Sequence, residues 1–526
     1  MKLNYLISLS FAGIFFATVL KAQAPAIEWQ RSFGGTADEY ASSIIQTADG
    51  GFMIAGSSNS NNGNVTGNHG NSDYWLLKLN AMGNLQWQKS LGGTGNDFAT
   101  SIIQLADGGY TVAGVSSSNN SDVTGNHGNA DGWIARLNQD AGILYWQKSF
   151  GGTGSDVINS IIPTTDGGYV FAGSSTSING DVAGNKGYVD YWIVKIDANG
   201  NIQWKKSLGG TGDDRAASVV QTSDGGYVVA GYAEGDSGDV TGSHGGKDYW
   251  ILKLNSDGGV IYWKKSLGGS FQELATSLVK TSDGGFIVAG HSSSNDGDVS
   301  GNHDGTDYWV TKLNADGNIQ WQKALGGSKQ DLASSVIQAA DGGYLVLGSA
   351  SSTDGQVIGH HPASGTLFSY DYWAVKLSPA GNIQWQKCLG GSGIDNAYDV
   401  VQTTDGGYVI AGSSDSNNGD VTGNHGSSDV WIVKLAPENN LATDEVMKEL
   451  SVNIFPNPAK DHITLKLDYF TPAMEATITD VSGRVIHIQK LDGLTTRIGT
   501  GHLEKGVYFL HVTGGKNNMA KKFIKE

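Results

Sequence analysis

A tryptophan spacing close to sixty residues restricts the fold of this chain more than any other feature. The 14 tryptophans fall into two series of seven. The first series is Trp29, Trp87, Trp146, Trp204, Trp263, Trp321 and Trp385. The second is Trp75, Trp133, Trp192, Trp250, Trp309, Trp373 and Trp431. Successive members of each series are 58 to 64 residues apart, and such a period indicates a repeat architecture.

Each repeat contains four short strand-like segments with apolar or alternating character, such as YVVAGY, YWILKL and IQWQKAL. Asp-Gly-Gly, a tight-hairpin signal, separates the first two segments of every repeat. Its aspartates are Asp49, Asp107, Asp166, Asp224, Asp283, Asp341 and Asp405. Four antiparallel strands repeated seven times predict an all-β fold, a seven-bladed β-propeller over residues 27–435.

The strand before each Asp-Gly-Gly begins with small residues, which suits the crowded centre of a propeller, so we expect it to be innermost. The strand of the first tryptophan series is then outermost. Residues 27–33 therefore have no blade of their own, and the last repeat, 396–435, has only three strands. We expect the N-terminal strand to complete the last blade, which removes exposed sheet edges. We expect the tryptophans to fill contacts between blades.

The repeat DYWVTKLNADGNIQWQKALGG, followed by ASSVIQAADGGYLVLGS, resembles the β-propeller repeats of secreted bacterial proteins. The resemblance covers all seven repeats and implies the same architecture. It does not select a chemistry, because propellers perform many functions.

The two ends of the chain have different patterns. Lys2, an apolar run over 5–20 and small residues after it predict a secretory signal peptide over 1–24. Residues 436–450 lack a strand pattern and are interpreted as a linker. Residues 451–526 alternate apolar and polar positions in short runs, which predicts a small C-terminal β-sandwich.

Four segments of this C-terminal module occur in a characteristic order: NIFPNP (453–458), DVSGR (480–484), GVYFL (506–510) and KKFIK (521–525). The module resembles the type A C-terminal sorting domain of cargo for the type IX secretion system of Bacteroidetes. The candidate motif residues are Pro456, Asn457, Pro458, Gly483, Arg484, Gly506, Tyr508, Lys521 and Lys522. The resemblance implies contact with the outer-membrane secretion machinery, followed by release or retention at the cell surface. An ordinary adhesive sandwich is the alternative.

Charge and cysteine content exclude several kinds of partner and site. The net charge of −17 disfavours nucleic acid, whose backbone is also negative. The single cysteine, Cys388, cannot form an intramolecular disulfide, and its place within a repeat suggests a packed residue. We expect no transmembrane segment in the mature chain, and we expect a monomer.

An acidic residue precedes each predicted innermost strand. Near the mouth of the channel, seven such carboxylates could bind a cation or a polyhydroxyl ligand. The alternative is that each accepts hydrogen bonds from a neighbouring blade. The seven are Glu39, Asp97, Asp156, Asp214, Glu273, Asp331 and Asp395.

The long loops between the second and third strands are rich in Asp, Asn and Gly. Oxygen ligands at close spacing suit Ca²⁺, although no loop has a complete EF-hand pattern. Turn formation is the alternative for the aspartates that end these loops. Candidate calcium ligands are Asp296, Asp298, Asp307, Asp415, Asp420 and Asp429. The loops also carry His69, His127, His244, His303, His360 and His425, which are too far apart in sequence for a local zinc motif.

The sixth repeat breaks the pattern with an insertion of about six residues in GHHPASGTLFSYDYW (359–373). His360, His361 and Phe368 are candidate contacts for a glycan or a protein. Sequence drift in a tolerant surface loop is the alternative.

These observations favour a secreted or cell-surface propeller that binds a ligand or a protein partner. One alternative is a hydrolase or lyase of extracellular polysaccharide that uses carboxylates at the channel mouth as acid and base. Another is a purely structural surface protein. The sequence contains no nucleophile elbow, phosphate-binding loop, dinucleotide fingerprint or metalloprotease motif, so catalysis has no positive support.

Overall fold

The computed structural model describes residues 23–362, 369–438, 452–467, 474–514 and 517–526. All regular elements in these ranges are strands. The chain divides into two compact units between residues 438 and 439. Most of the predicted signal peptide and linker lies outside the described residues. Within those ranges, no helix has the length and apolar character needed to cross a membrane.

The first unit contains seven four-stranded antiparallel sheets, the blades. The first strand of the chain is β1 (Ile27–Phe33). Blade 1 consists of β2 (Glu39–Gln46), β3 (Phe52–Ser58), β4 (Asp73–Leu79) and β5 (Leu85–Leu91). Blade 2 consists of β6 (Asp97–Gln104), β7 (Tyr110–Ser116), β8 (Asp131–Leu137) and β9 (Leu144–Phe150). Blade 3 consists of β10 (Asp156–Pro163), β11 (Tyr169–Ser175), β12 (Asp190–Ile196) and β13 (Ile202–Leu208).

The remaining four blades follow the same chain order. Blade 4 consists of β14 (Arg215–Gln221), β15 (Tyr227–Glu234), β16 (Lys247–Leu254) and β17 (Ile261–Leu267). Blade 5 consists of β18 (Glu273–Lys280), β19 (Phe286–Ser292), β20 (Asp307–Leu313) and β21 (Ile319–Leu325). Blade 6 consists of β22 (Asp331–Gln338), β23 (Tyr344–Ala350), β24 (Asp371–Leu377) and β25 (Ile383–Leu389). Blade 7 contains β26 (Asp395–Gln402), β27 (Tyr408–Ser414) and β28 (Asp429–Leu435).

The first strands of the blades contact one another in a closed ring of β2, β6, β10, β14, β18, β22 and β26. These strands are therefore innermost, and the contact between β26 and β2 completes the circle. This arrangement confirms the prediction of a seven-bladed β-propeller.

The N-terminal strand β1 forms the outer edge of blade 7. It pairs with β28, from Ile27 opposite Leu435 to Phe33 opposite Val430. The two ends of the propeller are thus joined by backbone hydrogen bonds, and β1 takes the outermost position that the fourth strand holds in the other blades.

An aspartate reinforces the junction between the last and first blades. Oδ2 of Asp399 accepts a hydrogen bond from the amide of Ile44 at 2.9 Å, and Oδ1 accepts from Oγ of Ser335 at 3.0 Å. At two other junctions a serine makes the corresponding contact, between Ser101 and the amide of Ile161 at 3.4 Å and between Ser277 and the amide of Val336 at 3.2 Å. Hydrogen bonds to a carboxylate are stronger than neutral ones, so Asp399 gives this junction, which the crossover from β1 to β2 also spans, a stronger polar contact than a serine would give.

Large aromatic side chains fill the junctions between blades. Trp75 and its six equivalents are almost completely buried. The rings of Tyr74 and Trp133, from adjacent blades, are 4.7 Å apart, and the tyrosine hydroxyl donates to the tryptophan carbonyl at 3.0 Å. The other tryptophan series lies on the outer strands, where Trp87 packs edge-on against Tyr110 of the next blade. Both series therefore join neighbouring blades.

The second unit contains two antiparallel sheets around one hydrophobic core. One sheet has the order β29 (Val452–Phe455), β30 (His462–Leu467) and β33 (Thr495–Gly499). The other has the order β32 (Val485–Lys490), β31 (Glu475–Asp480), β34 (Gly506–Gly514) and β35 (Asn517–Lys525). Side chains from both sheets, including Leu465 and Leu510, are fully buried in this core.

Candidate functional site

The direction of the strands gives the propeller two different faces. The crossover segments that enter each innermost strand and the long loops between second and third strands lie on one side, which we call the open face. The Asp-Gly-Gly turns lie on the other side, the turn face. Variable loop residues therefore collect on the open face, where binding sites of rigid β-scaffolds commonly occur.

The acidic residues that begin the innermost strands are not exposed at the channel mouth. All seven have 0% relative exposure: Glu39, Asp97, Asp156, Asp214, Glu273, Asp331 and Asp395. In blade 2, Oδ2 of Asp97 accepts hydrogen bonds from the amide of Gly93 at 2.7 Å and from Oγ of Ser118 at 2.8 Å. Oδ1 accepts from Ser116. These bonds come from the crossover and from the residue's own blade, so the geometry favours a structural role over contact with a ligand.

A second buried aspartate stands beside each of these residues. Oδ2 of Asp73 accepts from the amide of His69 at 2.9 Å and lies 2.7 Å from its Nδ1, whereas Oδ1 has no hydrogen-bond partner among the described residues. Gly92 separates this Oδ1 from Asp97: a methyl group on Gly92 would lie 2.6 Å from Asp73 Oδ1 and 2.6 Å from Asp97 Oδ2. The first glycine of the Gly-Gly pair is therefore required because no side chain fits between the two carboxylates.

We call each set of two carboxylates and the intervening glycine a crossover lock. The seven locks are Asp429–Gly34–Glu39, Asp73–Gly92–Asp97, Asp131–Gly151–Asp156, Asp190–Gly209–Asp214, Asp248–Gly268–Glu273, Asp307–Gly326–Asp331 and Asp371–Gly390–Asp395. Burial raises the pKa of Asp190, Asp307 and Asp371 to about 6, and the charge of the second carboxylate contributes in the same direction.

The candidate calcium ligands fall into two groups. Four accept hydrogen bonds from crossover amides, and two belong to crossover locks. Oδ1 of Asp296 accepts from the amide of Ser270 at 2.8 Å. Asp298, Asp415 and Asp420 likewise accept from crossover amides. Asp307 and Asp429 belong to crossover locks, where they accept from an amide four residues earlier and do not form the expected Asx-turn. The described residues contain no group of three or more His, Cys, Asp or Glu side chains that could hold a metal ion.

The sixth repeat differs from the histidine series predicted from the sequence. Nδ1 of His361 lies 2.7 Å from Oδ2 of Asp371, which is the position of His69 in the first repeat. His361, and not His360, is therefore the structural counterpart, because the insertion shifts the register of this loop. The His360 side chain is 2% exposed, and burial lowers its pKa, so it is not available as a surface contact. Phe368 lies outside the described residues.

Cys388 lies in the same blade and is buried. Burial, with the negative charge of nearby Asp371, raises the pKa of its thiol above the usual range. A buried neutral thiol is a packing residue and a poor nucleophile.

A cluster of charged residues distinguishes blade 4 from the other six. Asp213 accepts hydrogen bonds from Nε of Arg215 at 2.7 Å and from Nζ of Lys247 at 2.6 Å. Nζ of Lys247 also lies 4.7 Å from the centre of the Tyr232 ring, within cation–π range. We call Asp213, Arg215, Tyr232 and Lys247 the fourth-blade cluster.

Three strand ends hold this cluster on the open face. Arg215 begins β14, Tyr232 is its register partner in β15, and Lys247 begins β16. The side chains of Arg215, Lys247 and Asp213 are 42%, 21% and 16% exposed. Burial opposes ionisation of Asp213, but its bonds to Lys247 and Arg215 prevail and lower its pKa. The carboxylate of Asp213 is therefore stabilised by two cations at a position that solvent can reach.

Exposed aromatic residues stand on both sides of the cluster. Tyr188 is 72% exposed and precedes Val189, which forms a bridge with Asp213. Phe271 is 62% exposed, and its carbonyl accepts a hydrogen bond from Gly246, the neighbour of Lys247. The open face thus presents an aromatic residue, a charged cluster and a second aromatic residue across blades 3 to 5.

Sequence reasoning missed this cluster, although the signal is present in the repeats. Arg215 stands where the other repeats have Tyr40, Phe98, Val157, Leu274, Leu332 and Asn396. Tyr232 replaces Ser57, Val115, Ser174, His291, Ser349 and Ser413, and Lys247 replaces Ser72, Ala130, Val189, Thr306, Tyr370 and Ser428. A comparison of the residues at the strand ends, and not only of loop lengths, would have shown that this repeat differs from the other six at three positions.

The C-terminal unit uses its predicted motif to fasten its last strand. Oδ1 of Asn457 accepts from the amide of Ile524 at 2.9 Å, and Nδ2 donates to the carbonyl of Lys522 at 3.3 Å. Tyr508 stacks on Phe523, with ring centres 5.7 Å apart. Of the remaining motif residues, Gly506 lies in β34, and Lys521 and Lys522 lie in β35. Pro456 and Pro458 follow β29, and Gly483 and Arg484 lie in the turn between β31 and β32.

Residues 453–526 match the family profile of the secretion system C-terminal sorting domain. The prediction of a type IX sorting domain is thereby confirmed, and this domain directs the chain to the cell surface or the medium. The domain also implies contact with the secretion machinery.

One curated protein resembles part of the chain. The chain is 28% identical over 230 residues to the regulatory protein FlaEY of Caulobacter vibrioides; the match covers 39% of this chain and 23% of that protein. The chain thus spans about a quarter of the length of this curated relative.

Solved structures with similarity to the chain include PorZ, a surface component of the type IX secretion system of Porphyromonas gingivalis. The TM-score is 0.40 at 13% identity, covering 94% of this chain and 60% of PorZ. A fungal alcohol oxidase in complex with copper gives a TM-score of 0.44 at 12% identity, covering 96% and 100% of the two chains.

Proposed function

We propose that this chain is an exported propeller that binds a ligand or a protein partner through its open face. The observation that carries the proposal is the fourth-blade cluster: four unlike side chains, joined by hydrogen bonds and a cation–π contact and partly exposed, on a frame that is otherwise repeated. Repeated features serve the architecture, whereas a feature that occurs once is free to serve recognition.

The frame beneath the cluster is rigid, which favours selective binding. Asp213 lies in a crossover, and the next residue, Asp214, belongs to a lock and has 0% exposure. Oδ2 of Asp214 accepts from the amide of Gly210 at 2.6 Å. Side chains fixed in this way lose little conformational freedom when a ligand binds.

The hydrolase or lyase alternative loses its proposed acid and base. Glycoside cleavage needs two carboxyl groups that flank an accessible bond, and the carboxylates nominated for this role are completely buried. They could not reach a polysaccharide without disruption of the crossovers.

Thermal unfolding of the purified chain tests the proposal. The protein would be heated with neutral glycans, acidic glycans and peptides, because a ligand that binds the folded state raises the midpoint. The key variant is the double substitution Arg215→Leu and Lys247→Ser. The matched control is Lys280→Gln, which removes an exposed cation from the turn face and introduces the residue that five other repeats have there.

We expect at least one ligand to raise the midpoint of the wild type and of Lys280→Gln but not that of the double variant. If no ligand shifts the wild-type midpoint, the purely structural alternative is favoured. If only Lys280→Gln abolishes a shift, the binding surface is the turn face and the proposal is wrong.

A further inference from the structure

We infer that the fourth-blade cluster is a subsite for an acidic sugar, a pyranose residue that carries a carboxylate. The inference rests on the proposed function and specifies its ligand. It depends on two features: the orientation of Arg215 and the two flanking aromatic rings.

Arg215 is oriented as a receptor for a carboxylate. Its Nε is held by Oδ1 of Asp213 at 2.7 Å, which fixes the plane of the guanidinium. No acceptor for its two terminal nitrogens occurs among the described residues, and the side chain is 42% exposed. A fixed guanidinium with both terminal nitrogens available matches the two oxygens of a carboxylate.

Lys247 and Glu234 balance the charge around Arg215 and Asp213. Arg215 and Lys247 share one counter-ion, Asp213, so the three side chains together carry one positive charge. Glu234 is exposed nearby, and it accepts a hydrogen bond from the amide of Asp213 at 3.3 Å. Glu234 is also the register partner of Lys247, so the four side chains carry no net charge, and contact with an anion depends on the available terminal nitrogens of Arg215.

The net charge of the chain does not prevent such a contact. The −17 charge repels anions at long range. At physiological ionic strength, however, charges are screened beyond a Debye length of about 8 Å. A carboxylate in hydrogen-bonding contact with Arg215 lies well within that distance, so local geometry determines its affinity.

The flanking aromatic residues indicate a sugar rather than a free carboxylate. Tyr188 and Phe271 lie on opposite sides of the cluster and are 72% and 62% exposed. Large exposed aromatic rings are amphipathic contact surfaces, and a pyranose offers a C–H-rich face that can stack on them. In an oligosaccharide with one acidic residue, the acid would contact Arg215 while the neighbouring sugars stack on Tyr188 and Phe271.

Calorimetric titration of the purified chain tests this assignment. The probes are oligomers of galacturonate, mannuronate and guluronate, each compared with its methyl ester, which keeps the sugar and removes the charge. We expect at least one acid series to bind saturably and its ester to bind about tenfold more weakly or worse, since a charge-assisted bidentate contact is lost.

Three variants locate the site. Arg215→Leu, which introduces the residue found at this position in two other repeats, is expected to weaken binding by about tenfold or more. Arg215→Lys keeps the charge but not the paired nitrogens, and we expect a loss of similar size. Lys280→Gln on the turn face is expected to change affinity by less than about twofold. Unchanged thermal midpoints would show that the variants are folded.

Several results would overturn the assignment. Equal affinity for acids and esters, or full binding by Arg215→Leu, would leave the proposed function intact but refute an acidic sugar at this subsite. Tighter binding of tetra-aspartate than of any sugar acid would assign the site to a protein partner. If no uronate oligomer binds while another ligand raises the midpoint, the acidic-sugar assignment alone fails.

Discussion

The crossover locks and the fourth-blade cluster lie on the same face and both depend on aspartates, but their surroundings differ. A lock carboxylate such as Asp97 has 0% exposure, and its acceptor atoms are occupied by amides and hydroxyls of its own blade and crossover. Asp213 is partly exposed, and two cationic side chains that are also partly exposed bind it. The locks occur seven times and the cluster once. Damage to a lock should therefore cost stability, whereas damage to the cluster should cost binding.

The largest expected effect is steric and falls on a lock. In Gly92→Ala the new methyl group would lie 2.6 Å from a carboxylate oxygen on each side. Separation of the two aspartates would break their hydrogen bonds, and we expect a loss of about 3 kcal/mol in the free energy of unfolding. Gly142→Ala is the matched control, because its nearest new contact is an ordinary 3.4 Å. Equal stabilities of the two variants in chemical denaturation would contradict the steric explanation.

The second prediction compares the two aspartates directly. Asp97→Asn introduces an amide group among donors that all require an acceptor, so we expect a loss of about 2 kcal/mol. Asp213→Asn weakens partly exposed ion pairs and should cost less than about 1 kcal/mol. Chemical denaturation of both variants measures the difference. A larger loss for Asp213→Asn would reverse the proposed division between architecture and recognition.

The propeller could be predicted from the sequence because the same turn and tryptophan signals occur in every repeat. Seven copies of Asp-Gly-Gly and of two tryptophan positions give the number of blades, and the unpaired strand 27–33 predicts the closure. The seven acidic residues were also visible, but not their burial. Whether Asp97 faces the channel or the crossover depends on Gly93, Ser116 and Ser118, which are brought to it only by the three-dimensional fold.

The binding candidate was harder to predict because it combines separate strands. Arg215 and Lys247 are 32 positions apart, and neither is unusual alone. Loop length drew attention to the sixth repeat, where His360 is buried and His361 takes the common lock position.

The third prediction concerns the pH dependence of the locks. Burial raises the folded-state pKa of Asp190, Asp307 and Asp371 to about 6, above the value of about 3.9 in an unfolded chain. Their contribution to stability is therefore complete below about pH 4 and is lost as the pH rises through 6. We expect the propeller to be more stable at pH 5 than at pH 7, by about 1 kcal/mol for each such carboxyl.

Asp190 offers the clearest test of this pH effect, because Lys186 stands in its loop where other repeats have histidine. Asp190→Asn should reduce the gain in thermal midpoint between pH 7 and pH 5. A propeller that loses stability over this interval, with the variant behaving like the wild type, would show that the lock carboxylates do not govern the acid response.

The fourth prediction compares the contributions of two tyrosine hydroxyls to stability. The hydroxyl of Tyr308 donates to the carbonyl of Trp373 at 3.0 Å inside a blade junction. Tyr308→Phe removes that buried hydrogen bond and should lower the free energy of unfolding by about 1 kcal/mol. The hydroxyl of Tyr232 makes only a 3.5 Å contact with Asp213 in the half-buried cluster, so Tyr232→Phe should have almost no effect. Equal losses in chemical denaturation would mean that the cluster also contributes to the architecture.

The smallest effect on stability is expected where the effect on binding is largest. The double substitution Arg215→Leu and Lys247→Ser introduces residues that other repeats already accommodate, Leu274 and Leu332 at one position and Ser72 and Ser428 at the other. The ion pairs that it removes are partly exposed, and such pairs contribute little to stability. We expect the free energy of unfolding to change by less than about 0.5 kcal/mol. Unchanged stability with lost binding would distinguish a recognition site from a structural contact, whereas a loss comparable to that of Asp97→Asn would show that blade 4 needs these charges in order to fold.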